Sequence, residues 1–218
     1  GLAAQLLEQL LEAPDLRQQL RRIRAVPVVV SHLQHAWAEC ARNRTLEKKL
    51  MHILRCCQKL SRDHVELHQP MAVHELREHG ALGMTLALLE ECTHDGNAAE
   101  LAKAALDALT QMCMDDECAT VLRQQHPAGF DVVAGLLFSP PVELADSGAI
   151  EELQCASARL LRFMFAVERN RRTFKEALPA YILAPFVDIG NYLWPLEVYQ
   201  PFVRLVNGLS AREAALFR

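Results

Sequence analysis

The sequence predicts an all-α fold, a solenoid in which successive helices stack into one elongated core. Three observations lead there. Apolar residues recur at helical spacing through almost every segment, as in Leu2, Leu6, Leu7, Leu10 and Leu11. No useful length shows the alternation of a half-buried strand. The same order of shorter and longer apolar helices returns along the chain, and units that cannot bury their apolar faces alone bury them against their neighbours.

Composition agrees. The chain has 218 residues, 51% of them hydrophobic and 23% charged, enough apolar material for a substantial core. Leu and Ala dominate, and both lose little side-chain freedom in a helix. The net charge of −4 lacks the basic surplus with which nucleic-acid-binding domains neutralise phosphates. Seven cysteines, an odd number without a C-x-x-C pair, sit mostly inside apolar helical runs and read as small core hydrophobes in a reducing compartment. The expected location is therefore cytoplasmic. No run is long enough to span a membrane, and the opening "GLAAQLLEQLLE" lacks a signal peptide's charged start. Gly1 in place of Met points to a chain that continues upstream.

The elements follow in order. The leucine stripe from Leu2 predicts a first helix that Pro14 stops. "DLRQQLRRIRAV" starts a second with Asp15 near its N-terminus, and Pro27 opens a third, "VVVSHLQHAWAECAR". Thr45 is a candidate N-cap for "LEKKLMHILRCCQKL", which the polar Ser61-Arg62-Asp63 is expected to break. "MAVHELREHG" closes on Gly80, a C-terminal stop signal. "ALGMTLALLEEC" runs to the turn residues Asp95-Gly96-Asn97, and "AAELAKAALDALTQMC" runs to a break at Asp115-Asp116. "FSPPVELADSG", about residues 138–148, reads as a loop inserted into a continuous array, because helical patterning resumes unchanged after it. One solenoid over 1–218 is expected, with irregular N-terminal helices over about 1–60 and the clearest repeats over about 45–208.

The repeats are visible as short helices entered through a small residue: "GALGMTLALL", "AGFDVVAGLL" and "AYILAPFVDI". Longer helices precede them: "LMHILRCC", "ALDALTQMC" and "ARLLRFMF". The stretch "EHGALGMTLALLEECTHDGNAAELAKAALDALTQMC" resembles the armadillo repeat, with a glycine before the second helix and an Ala-rich third helix. That resemblance implies a right-handed α-solenoid, with HEAT-like two-helix units as the alternative. Armadillo arrays commonly clamp extended peptides through an Asn on the third helix. The matching positions here are Ile53, Ala108 and Leu161, none of which can make that bond. Docking of a helix or a folded domain stays open.

Catalytic and metal motifs are missing. "HELREH" places His74 and His79 five residues apart, on different helix faces, and so lacks the i, i+4 pair of a zinc-binding H-E-x-x-H. His64 and His68 share a face, but no further ligand has zinc spacing. There is no nucleophile elbow, no glycine-rich phosphate loop, and neither H-R-D nor D-F-G. Neither an enzyme nor a cofactor is expected in this chain.

One basic cluster stands out: Arg159, Arg162, Arg169, Arg171, Arg172 and Lys175. Leu160, Leu161, Met164 and Phe165 among them form a single helix stripe and read as core. The basic residues then make a rim, a candidate protein-binding surface. A nucleic-acid surface is the weaker reading, because the chain is acidic overall and its aromatics are not spaced as a stacking platform.

The last third, "RFMFAVERNRRTFKEALPAYILAPFVDIGNYLWPLEVYQPFVRLVNGL", resembles the segment that precedes the kinase domain in an armadillo-bearing member of the NIMA-related protein kinase family. Phe163, Glu168-Arg169-Asn170-Arg171, Phe174, Asp188-Ile189-Gly190, Tyr192, Tyr199 and Leu205 carry it, over roughly Ala156 to Leu209. The resemblance implies a regulatory or scaffolding arm beside an ATP-dependent kinase domain that this chain lacks. Its partners would be proteins, the kinase domain among them, and its setting cell-cycle, centrosomal or ciliary. A free-standing armadillo or HEAT adaptor is the alternative.

Overall fold

A computed structural model describes residues 2–40, 46–66, 71–93, 98–125, 129–138, 147–167 and 169–170. Every regular element among them is helical: α1 Leu2–Leu10, α2 Pro14–Arg22, α3 Ala25–Cys40, α4 Glu47–Glu66, α5 Met71–Glu78, α6 Ala81–Thr93, α7 Ala99–Met112, α8 Asp116–Gln124, α9 Gly129–Phe138 and α10 Ser147–Ala166. The described residues carry no β-strand, and so none of the sheet that a kinase catalytic domain needs. No described helix is long and apolar enough to cross a membrane.

The order short, intermediate, long appears twice, as α5-α6-α7 and as α8-α9-α10. Like helices are neighbours. The long helix α7 packs against both α4 and α10, α6 packs against α9, and α5 packs against α8. The result is an all-α bundle of repeated short helices with a solenoid-like succession. Its centre is α7, where Leu101, Ala102, Ala104, Ala105, Leu106, Ala108, Leu109 and Met112 are all buried. Alanine on several faces lets three helices, α4, α6 and α10, approach it at once. The stripe Leu160, Leu161 and Met164 lies in the same core, as its spacing predicts.

Three boundaries differ from expectation for local reasons. Pro14 does not merely stop α1, which has ended at Leu10; it is the first residue of α2, where a missing N–H costs nothing. Pro27 sits inside the first turn of α3, which begins at Ala25, because the first-turn N–H groups have no helical partner to lose. Ser61-Arg62-Asp63 does not break α4. Ser61 is fully buried, and its hydroxyl donates to the Cys57 carbonyl at 2.9 Å, so its polarity is satisfied within the helix. The Thr45 cap, the Asp95–Asn97 turn and most of the inserted loop fall outside the described residues.

Caps account for the corners between helices. Asp115 accepts from the backbone N–H of Cys118 at 2.9 Å and starts α8. Gly80 adopts φ +80 between α5 and α6, a conformation that an L side chain resists. Nothing lies within 4 Å of a Cβ built there, so the cost of a side chain is conformational only. Gly80→Ala is expected to lower stability by about 1–2 kcal/mol in urea unfolding.

Candidate interaction surface

Arg159 and Arg169 are the members of the basic cluster whose side chains are described, and the structure gives them different surroundings. Arg159 stands exposed on α10, its Nη2 3.8 Å from Oδ1 of Asp107 on α7. Exposed Arg169 lines a shallow groove with Arg77 of α5, Thr120 and Val121 of α8, and Val167. The side chain of Arg162, and the whole of Arg171, Arg172 and Lys175, lie outside the described residues.

Around Arg159 the long helices share a ladder of charge. Asp107 feels Arg159 on one side and Arg55 of α4 on the other, and Lys103 of α7 pairs with Glu152 of α10. Partial burial raises the Asp107 carboxyl above its ordinary value, more than Arg159, Lys103 and Arg55 lower it. The ladder holds one long helix beside the next while staying largely at the surface. Ile53, Ala108 and Leu161, the positions matched to the armadillo Asn, are instead buried in the core. They cannot hydrogen-bond an extended peptide from there.

The residue most tied to tertiary structure near the rim is uncharged. Asn170 is 2% exposed and joins three segments. Its Nδ2 donates to the carbonyls of Ala119 at 3.0 Å and Met164 at 2.9 Å, and its Oδ1 accepts from Arg123 Nε at 2.9 Å. It thereby seals the end of α10 onto α8. The local signal was slight: one amide side chain in a run of charged residues.

His74 finds neither His79 nor a zinc set. Across the α5–α8 seam it meets Asp115 and Glu117, and their ligand atoms lie within 4.8 Å of one another. The Arg77 guanidinium pairs with Glu117 and lies 3.9 Å from Asp115 Oδ2, while that same oxygen caps α8. A cation already serves these carboxylates. The arrangement reads as an ion network between α5 and α8, and these acidic groups also favour the N-terminus of α8.

A second polar network fastens α1 to α4. Glu8 Oε2 is 2.5 Å from His52 Nδ1, and Lys59 Nζ donates to the Glu8 carbonyl at 2.9 Å. The same ammonium lies 3.3 Å from Glu8 Oε1 and 2.8 Å from Glu12 Oε1, and Arg62 also reaches Glu12. Buried Arg17 donates to the carbonyls of Leu11 and Glu12, closing the chain just after α1. Burial would raise the Glu8 carboxyl, but the His52 hydrogen bond and Lys59 together outweigh it and hold it below the ordinary value. A depressed carboxyl stabilises the fold fully above its unfolded value near 4.5, and that stabilisation is lost as pH falls through the lower folded value. Urea midpoints measured below pH 4.5 should therefore fall less steeply with acid in Glu8→Gln than in the parent. An identical acid limb would show that Glu8 is not linked.

Part of the sequence is homologous to known kinases. It is 32% identical over 117 residues to the serine/threonine-protein kinase Nek10 of mouse, and likewise to that of human. These matches cover 54% of this chain and 10% of each relative. The Caenorhabditis elegans serine/threonine-protein kinase D1044.8 is 40% identical over 57 residues, 26% of this chain and 6% of that protein. The chain thus spans about a tenth or less of the length of these relatives. No protein-family model matches it, and no solved structure matches it. The homology to Nek10 kinases is distant and covers about half the chain.

Proposed function

We propose that this chain is a non-catalytic, armadillo-type solenoid region of a NIMA-related protein kinase, one that binds protein partners or restrains the kinase domain. The observation that carries the reading is the recurring three-helix order, with like helices adjacent, in a chain homologous over half its length to Nek10 kinases. The described helices offer a charged outer surface and no kinase sheet, which suits docking and not phosphoryl transfer. The contact surface in this reading is the rim of Arg159, Arg162, Arg169, Arg171, Arg172 and Lys175, joined to the ladder at Asp107. A cytoplasmic setting, centrosomal or ciliary, belongs to the same proposal.

The test is a binding titration between this 218-residue chain and a kinase domain encoded in the same gene. Saturable binding, weakened at least tenfold by Arg159→Glu with Arg169→Glu, supports restraint through the rim. A gene without a kinase domain would overturn the reading and leave a free-standing adaptor. Binding that ignores both reversals would remove the rim from it.

A further inference from the structure

The first helix sits on α4 with the features of an exchangeable ligand. None of its residues is fully buried, and Leu2, Leu6 and Leu10 are 73%, 50% and 50% exposed. Its hold on α4 is polar at Glu8, which meets His52 and Lys59, and apolar at Ala4 and Leu7. The apolar fit is incomplete. A cleft of about 320 Å³, partly open to solvent, remains between α1, α3 and α4, lined by Ala3 and Ala4 on one side and by Val29, Ile53 and the polar His32 and Lys49 on the other. The two alanines line a space that a larger side chain would fill. The chain just beyond α1 is anchored differently: Leu11 is fully buried and Arg17 holds the Leu11 and Glu12 carbonyls. The turn at 11–13 is thus a fixed pivot behind a helix held on α4 mainly by polar contacts.

We propose that the α3–α4 groove is a docking site for an acidic amphipathic helix from a protein partner, and that α1 occupies it in cis as a displaceable stand-in. The partner helix carries a Leu-Glu pair in the places of Leu7-Glu8 and a large apolar residue in the place of Ala4. Its carboxylate meets His52 and Lys59, a basic pair already shaped around one. Its bulky side chain fills the cleft, which gives it an advantage over α1. This is the helix-in-groove mode of recognition, with one charge fixing the register. The inference does not rest on the kinase assignment.

The experiment uses the 218-residue chain and a fluorescein-labelled peptide of residues 1–13 in which position 4 is Phe. Fluorescence anisotropy reads binding. Glu8→Lys in the chain, which unseats α1, is expected to tighten peptide binding at least tenfold over the parent. Glu8→Lys in the peptide is expected to weaken it at least tenfold, and restoring Ala at position 4 should weaken it about fivefold. A second variant keeps all charges. The Ala4 carbonyl lies 3.9 Å from Cys56 Sγ, so Ala4→Cys in the chain is placed to be tied to Cys56. Diamide oxidation is run at high pH, because burial pushes the Cys56 thiol up to about 12, and the locked chain is taken forward once mass spectrometry shows the 4–56 disulfide. The locked chain should lose peptide binding, and dithiothreitol should restore it. The proposal is overturned if the Glu8→Lys chain, helical by circular dichroism, shows no saturable binding. If Glu8→Lys does not fold, equal binding by the locked and reduced Ala4→Cys chains overturns it.

Discussion

Gly129→Ala is expected to destabilise the protein by about 3 kcal/mol, at the upper end of what overpacking typically costs. Gly129 begins α9 at the corner where α8 hands over to it. A methyl group there would fall on the backbone carbonyl oxygen of Leu122, far inside van der Waals contact, and 3.1 Å from Leu122 Cγ. Leu122 is itself fully buried, so the obstacle is backbone and core, not the free end of a flexible side chain. Relief requires opening the α8–α9 corner and with it the packing of α9 on α10. Gly135 supplies the control within the same helix. A Cβ there meets nothing within 4 Å, and Gly135→Ala should stabilise by about 0.5–1 kcal/mol through helix propensity. Urea unfolding of the two variants should move in opposite directions. A neutral Gly129→Ala would mean that the corner is looser than its geometry.

Asn170→Ala should cost about 2–4 kcal/mol, because it removes three hydrogen bonds at a buried site. The carbonyls of Ala119 and Met164 lose their Asn170 donor, and Arg123 Nε loses its acceptor. Asn170→Asp tests the direction of those bonds. It keeps the size and the acceptor for Arg123 but turns oxygen toward two carbonyl oxygens, so it should rescue little. Arg159→Ala, by contrast, should change stability by less than about 1 kcal/mol, since an exposed ion pair is screened by water. If Asn170→Asp matched the parent, the two donated bonds would not be what holds α10 to α8. The charged run around Asn170 draws the eye in the sequence, yet its uncharged member makes the buried connections.

The features legible in the sequence have local causes. Helicity, the Gly80 stop, the break before α8 and the Leu160–Met164 core stripe depend on residues within a few positions of one another, so period and cap chemistry reveal them. The recurring order of helices was legible for the same reason, as a repeat of local patterns. Helix ends differ from the local reading at three places. Ser61 stays helical because the core surrounds it, Pro14 opens α2 instead of only stopping α1, and Pro27 lies just inside the first turn of the helix it is expected to open. The site was less legible still. Arg159 and Arg169 lie ten residues apart in one basic stretch, but one stands beside α7 and the other beside α5 and α8. Glu8 with Lys59, His74 with Asp115, and Asn170 with Ala119 are each joined across some 40 to 50 residues. No spacing rule connects such pairs. By itself the sequence determined which segments are helices and which face of each is apolar, because those follow from propensity and period. Only the tertiary structure decided which helices meet, which carboxylates find cations and where α1 leaves space unfilled, because stacking sets those distances.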